Sequence, residues 1–174
     1  MDSVNGAAPK VWVAPTGNGC CIRVVGRGTM QESPAVKDIA LRTLRGDPRS
    51  VVTLDLSNCT YLDSTFLGCL VDLLRAAGRD TPPRLVGAAS PKQVDALLGK
   101  CRINKMMPSY PDAPPTIGEW VAVESNTDPS RLTRHVMECH RALAEVDGPM
   151  RDVFAKIADQ LEQELAKTEA TGAG

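Results

Sequence analysis

Between positions 55 and 65 the chain sets Asp55, Ser57, Asp63, Ser64 and Thr65 around what reads as the start of a helix. A serine hydroxyl in that place can do two things. It can cap the helix, a role also open to Asp63 and worth about 1 kcal/mol. It can also accept a phosphoryl group, which adds roughly −1.5 to −2 charges at neutral pH. A helix N-terminus tolerates such charge through its unpaired N–H groups and its dipole. Spacing alone favours the cap. Asp55, at the end of a strand, is either a loop hydrogen-bonder or a group that positions the hydroxyl.

Rival chemistry is weak elsewhere. The sequence holds no glycine loop of the phosphate-cradling kind, and its two histidines, His135 and His140, lie far from Ser64. Without a neighbouring base, Ser64 has no recognisable catalytic relay, so no enzyme is expected. His135 and Cys139 fall on one side of a helix, but a third ligand is lacking, so structural or surface roles are expected and no metal or other cofactor. Cys20, Cys21, Cys59, Cys69, Cys101 and Cys139 form no C-x-x-C pair, and most lie in apolar segments. They read as reduced and structural.

The elements that must position Ser64 come next. Val51, Val52, Leu54 and Leu56 form a dense aliphatic run, which reads as a strand buried on both faces. Phe66, Leu67, Leu70, Val71, Leu73 and Leu74 follow at helical spacing, and Gly78 closes the helix. A strand feeding a helix puts the intervening loop at the carboxyl edge of a sheet, where α/β folds place working residues. Upstream, residues 10–14 and 20–25 read as strands joined by the hairpin turn Thr16-Gly17-Asn18-Gly19. A helix is predicted over 33–44, opened by Ser33-Pro34. Downstream come a short strand at Leu85-Val86, a helix capped by Ser90-Pro91, and a last short strand near KMMPSY. The order β-β-α-β-α-β-α-β implies a mixed α/β domain with one sheet and helices mainly on one face.

Beyond that unit, Pro108, Pro111, Pro114, Pro115 and Pro129 mark a linker around the short apolar piece Trp120–Val123. Two helical stripes follow. Leu132, Val136, Leu143 and Val146 make the first, and Val153, Phe154, Ile157, Leu161 and Leu165 the second, with Asp147-Gly148-Pro149 between them. They predict an antiparallel helical hairpin, which must pack on the domain or on a second copy of itself. With 20 basic and 21 acidic residues and a net charge of −1, neither a nucleic-acid footprint nor a polybasic membrane patch is expected. Apolar runs fall short of the roughly 20 residues that span a bilayer. The N-terminus lacks the pattern of a signal peptide, so a cytoplasmic protein is expected.

The stretch DLSNCTYLDSTFLGCLVDLLRAAG resembles the signature of STAS domains found in bacterial anti-sigma factor antagonists. That family ends a central strand in D-L-S and opens the next helix with D-S-[ST]-x-L-G. Asp55-Leu56-Ser57 and Asp63-Ser64-Thr65-Phe66-Leu67-Gly68 match in type and spacing, and the element order agrees. Phe66 departs from the pattern, standing where the family usually has Gly, and adds bulk beside the loop.

The resemblance implies a STAS domain over 10–110, with a sheet of four to five strands. Around it lie a loosely ordered N-terminus (1–9), a linker (111–129), the helical hairpin (130–168) and a flexible tail (169–174). It implies a protein switch. The unphosphorylated chain binds a serine-kinase anti-sigma factor through Asp55, Ser57 and residues 63–68. The kinase phosphorylates Ser64 and breaks the complex, and a serine phosphatase restores it. The alternatives are a STAS scaffold or a small-ligand or lipid-handling accessory subunit that is never phosphorylated, and an oligomer assembled through the hairpin.

Overall fold

The computed structural model describes residues 8, 10–125 and 127–172. The N-terminal segment expected to be loosely ordered lies outside the described residues, apart from residue 8. In chain order the strands and helices are β1 (Val11–Thr16), β2 (Gly19–Val24), β3 (Gly26–Gly28), α1 (Ser33–Gly46), β4 (Val51–Asp55) and β5 (Cys59–Leu62). They continue with α2 (Ser64–Ala77), β6 (Leu85–Ala88), α3 (Pro91–Leu98), β7 (Ser109–Tyr110), β8 (Val121–Val123), α4 (Pro129–Ala144) and α5 (Arg151–Gly172).

The main sheet runs in the order β7-β6-β4-β2-β1-β8. β2, β4, β6 and β7 are parallel neighbours that step steadily toward one edge. Right-handed crossovers in a constant direction place every connecting helix on the same face. That face carries the core: Cys20, Ile22 and Val24 of β2 and Val52 and Leu54 of β4 pack with Val36, Leu70, Leu73 and Leu98 from the helices. The mixed α/β architecture with helices on one face and a C-terminal helical pair is what the sequence implies.

The second face is closed differently. Residues 111–120, expected as a linker, lead from β7 at one edge of the sheet to β8 at the other. The Ile117 N–H donates to the Pro15 carbonyl at 2.9 Å, and the Arg23 guanidinium stacks 4.0 Å from the Trp120 ring centroid. Val121–Val123 then pairs antiparallel with Val11–Val13. The apolar piece Trp120–Val123 therefore ends in a sixth strand, and the sheet is wider than the four to five strands expected. Under this strap Cys21, Thr53, Asp55 and Ala88 are buried although they point away from the helices.

The C-terminal pair also corrects the sequence reading. α5 continues through Gly172, beyond the expected start of a tail at 169. Arg141 bridges Asp159 at 2.7 Å and Glu162 at 3.0 Å, and Arg134 bridges Glu169 at 2.6 Å, which ties α4 to α5. The buried positions of α4 are His135, Cys139, His140, Ala142, Leu143 and Ala144. The inner stripe thus runs through both histidines, while Leu132 and Val136 are only half-buried. The hairpin packs on the helix layer of its own domain, with α4 lying along α2.

Candidate functional site

Two short strands hold the Ser64 loop. β3 and β5 pair in parallel as a separate ribbon, two strands not predicted from the sequence. The Gly26 N–H donates to Asn58 O at 2.9 Å and the Asp63 N–H to Gly28 O at 3.0 Å. Asp63 then caps α2. Its Oδ1 accepts from the Phe66 N–H at 2.8 Å, and its Oδ2 accepts from the Met30 N–H at 2.8 Å. One carboxylate both starts the helix and anchors the loop before α1.

Capping turns the next residues inward. Thr65, Phe66 and Leu67 are buried, with Phe66 fully so. A Cβ on Gly28 would come within 3.0 Å of the Phe66 ring, so Phe66 fills space that a side chain there would take. The residue that departs from the family pattern is therefore core, not rim. Gly68 is buried for another reason. A Cβ at that position would lie 2.1 Å from the Cys139 carbonyl oxygen, so glycine lets α4 approach α2.

Asp55 sits apart from the hydroxyl. It is 2% exposed and accepts from the Ser57 hydroxyl at 2.6 Å, from the Ser57 N–H at 3.0 Å and from Arg23 Nε at 2.8 Å. Burial pushes its carboxyl upward, but the hydrogen bonds from Ser57 and Arg23 outweigh that and hold it below its ordinary value. It shapes the turn after β4. Gln93, which the sequence did not single out, fixes the same turn from α3. Its amide nitrogen reaches the carbonyls of Leu56 at 2.7 Å, Ser57 at 3.1 Å and Cys59 at 2.7 Å.

Ser64 itself is the first residue of α2 and is half-buried, so its hydroxyl is not fully open to a kinase. Its Oγ lies 3.0 Å from Nε2 of His140, and Nδ1 of that ring lies 2.8 Å from the Val136 carbonyl. A carbonyl only accepts, so Nδ1 carries a proton, and in the neutral ring Nε2 presents its lone pair to the Ser64 hydroxyl. The absence of a histidine beside Ser64 holds in the sequence and fails in the fold. The pair forms across 76 positions of chain.

A second pair repeats the arrangement. Nε2 of His135 lies 2.8 Å from Oγ of Ser33, the first residue of α1. Burial, with Lys37 adding to it, pulls the His135 pKa down to about 4, so the ring is neutral near pH 7. Cys139 lies between the two histidines, its sulfur 3.5 Å from His135 Nε2. Each histidine of α4 thus engages the first hydroxyl of a different helix. Burial pushes the Cys69 thiol up to about 12 and raises that of Cys139, so both are protonated. All six cysteines are unpaired. Among the described residues, no three His, Cys, Asp or Glu side chains gather as a metal-holding group.

What remains open around the loop is a rim. Arg27, Ser57, Asn58, Thr60 and Tyr61 are exposed, with the Arg27 guanidinium 4.0 Å from the Tyr61 ring centroid. Met30 is also exposed and Asp63 is half-buried. Of the residues expected to bind a partner, Ser57, Asp63 and Ser64 reach this rim or its edge. Asp55, Thr65, Phe66, Leu67 and Gly68 lie beneath it. The only sequence signal for His135 and His140 was that both histidines of the chain fall on one helix.

A family model described as Mlab, STAS domain, matches residues 12–108. No curated protein matches the chain.

Proposed function

The chain belongs to the STAS domain family, and from that premise we propose that it is a protein-docking switch controlled at Ser64. The reading is that of an anti-sigma factor antagonist. The unmodified chain docks a serine-kinase anti-sigma factor through the rim around the start of α2, and phosphorylation of Ser64 ends the complex. The observation that carries it is the place of Ser64. It opens α2 behind the Asp63 cap, beside the exposed side chains of Ser57, Asn58 and Tyr61. A phosphate there would meet the unpaired N–H groups at the start of α2, which favour its charge. A partner carboxylate facing the same spot would be repelled.

The test uses the protein as it stands. Incubation with extract of its own cells and ATP, followed by mass spectrometry, should find phosphate on Ser64 and none on Ser64→Ala. Ser64→Ala should still capture the partner from extract, and Ser64→Asp should capture less of it with an unchanged circular dichroism spectrum. Equal capture by Ser64→Asp would overturn the repulsion. A non-phosphorylated accessory role is the second reading, favoured by the engagement of the Ser64 hydroxyl with His140. Extract that phosphorylates other proteins but leaves Ser64 bare would select it.

A further inference from the structure

The stripe of α2 that faces the hairpin is polar. Ser64, Gly68, Asp72 and Arg75 recur at helical spacing; Ser64, Gly68 and Arg75 meet α4 directly, and Asp72 is linked to it through Lys37 of α1. Ser64 meets His140, and Gly68 lies against the backbone of Cys139. Asp72 shares Lys37 with Glu138, at 3.0 and 3.6 Å. Arg75 reaches Glu145 at 2.8 Å and the Ala142 carbonyl at 3.4 Å. Such a stripe is what a solvent-facing helix carries, and wetting it again costs little. On its apolar side the contact brings together Cys69, Cys139 and Ala142, with Leu143 and Phe154 of the hairpin buried in the same core. Grooves of about 340 and 310 Å³ flank α4 on its α1 and α2 sides. The family match ends at residue 108, before the hairpin begins.

We infer that the α4–α5 hairpin is a displaceable intramolecular cover, clipped by His140 to Ser64 and by His135 to Ser33, which occupies the Ser64 face until it swings away. This deepens the reading of Ser64 as the control point and rests on it for its biological meaning. With Oγ and Nε2 3.0 Å apart, no phosphoryl group fits between Ser64 and His140. Neither a protein reaching the hydroxyl nor a phosphate placed on it is compatible with the closed form. Opening comes first, and a modified Ser64 keeps the cover off.

The native thiols supply the measurement. Cys69 and Cys139 are fully buried at the contact between α2 and α4, while Cys21 is fully buried in the sheet, outside it. Alkylation by iodoacetamide, followed by mass spectrometry site by site, separates opening of the cover from global unfolding. In the wild type, Cys69 and Cys139 should react faster than Cys21. His140→Ala should raise the rates at Cys69 and Cys139 about tenfold, the loss expected for one buried hydrogen bond, and leave Cys21 unchanged. Should His140→Ala loosen the whole fold, Arg75→Ala cuts the half-exposed ties to Glu145 and the Ala142 carbonyl and should raise the same two rates selectively. One common rate for Cys21, Cys69 and Cys139 in the wild type and in Arg75→Ala would overturn the cover and make the hairpin an integral layer. No partner enters this experiment, so the cover can fail while docking at Ser64 stands, and docking can fail while the cover stands.

Discussion

His135 is neutral because burial leaves it no water and Lys37 leaves it no favourable field. Ser33, Cys139, Lys37, Asp72 and Asp38 surround it, and the two carboxylates do not offset the burial. The folded chain takes up this proton near pH 4 and an unperturbed histidine near 6.5. Between those values the unfolded state binds more protons, so stability is complete above the window and is lost as pH falls through it. The loss attributable to this ring reaches about 3 kcal/mol at the acid end. Urea midpoints taken from pH 7 to pH 4 should fall more steeply for the wild type than for His135→Gln. Parallel curves would mean the ring is not held neutral. Asp55 makes the converse case, a charge kept in a buried place by its donors. Arg23→Met removes the ion pair and leaves the carboxylate with Ser57 alone, which should cost about 2 kcal/mol in a urea titration. An unchanged midpoint would show that Ser57 suffices.

At the scale of elements, Gly68 decides how close two helices come. Alanine there would gain about 1 kcal/mol of intrinsic helix preference. It would also drive a methyl group into the Cys139 carbonyl, a backbone atom that moves only with α4. Overpacking of this kind costs about 1–3 kcal/mol, so Gly68→Ala should be net destabilising by up to about 2 kcal/mol. Hydrogen exchange should place the loss in α4 and α5 and spare β2 and β4. A stabilised variant would mean that α4 lifts freely. Elements whose signals are local were legible in the sequence. The Asp63 cap acts over three residues, Ser90 caps α3 through Gln93 in the same way, and Gly17-Asn18 turns β1 into β2. β3 and β5 were not legible. Their pairing is between backbone groups, and Gly26-Arg27-Gly28 carries none of the β-branched residues that announce a strand.

Across the whole molecule, the legible part ends where distant segments meet. The Ser64 loop could be found because its own motif marks it. Its closure by His140 could not, because a histidine in an amphipathic helix says nothing about which hydroxyl it will face. The same holds for Val121–Val123, whose strand partner lies more than a hundred positions earlier. That strand has a consequence for the cover. β8 stays paired with β1, and residues 124–128 are all that separate it from α4. An opened hairpin therefore remains tethered at an effective concentration in roughly the millimolar range. A free partner at micromolar levels starts about a thousandfold behind in any contest for the same face. Each tenfold weakening of closure lowers the partner's apparent dissociation constant by about the same factor, until the open form dominates. The short leash, as much as the two histidine clips, sets how strongly a partner must bind to be heard.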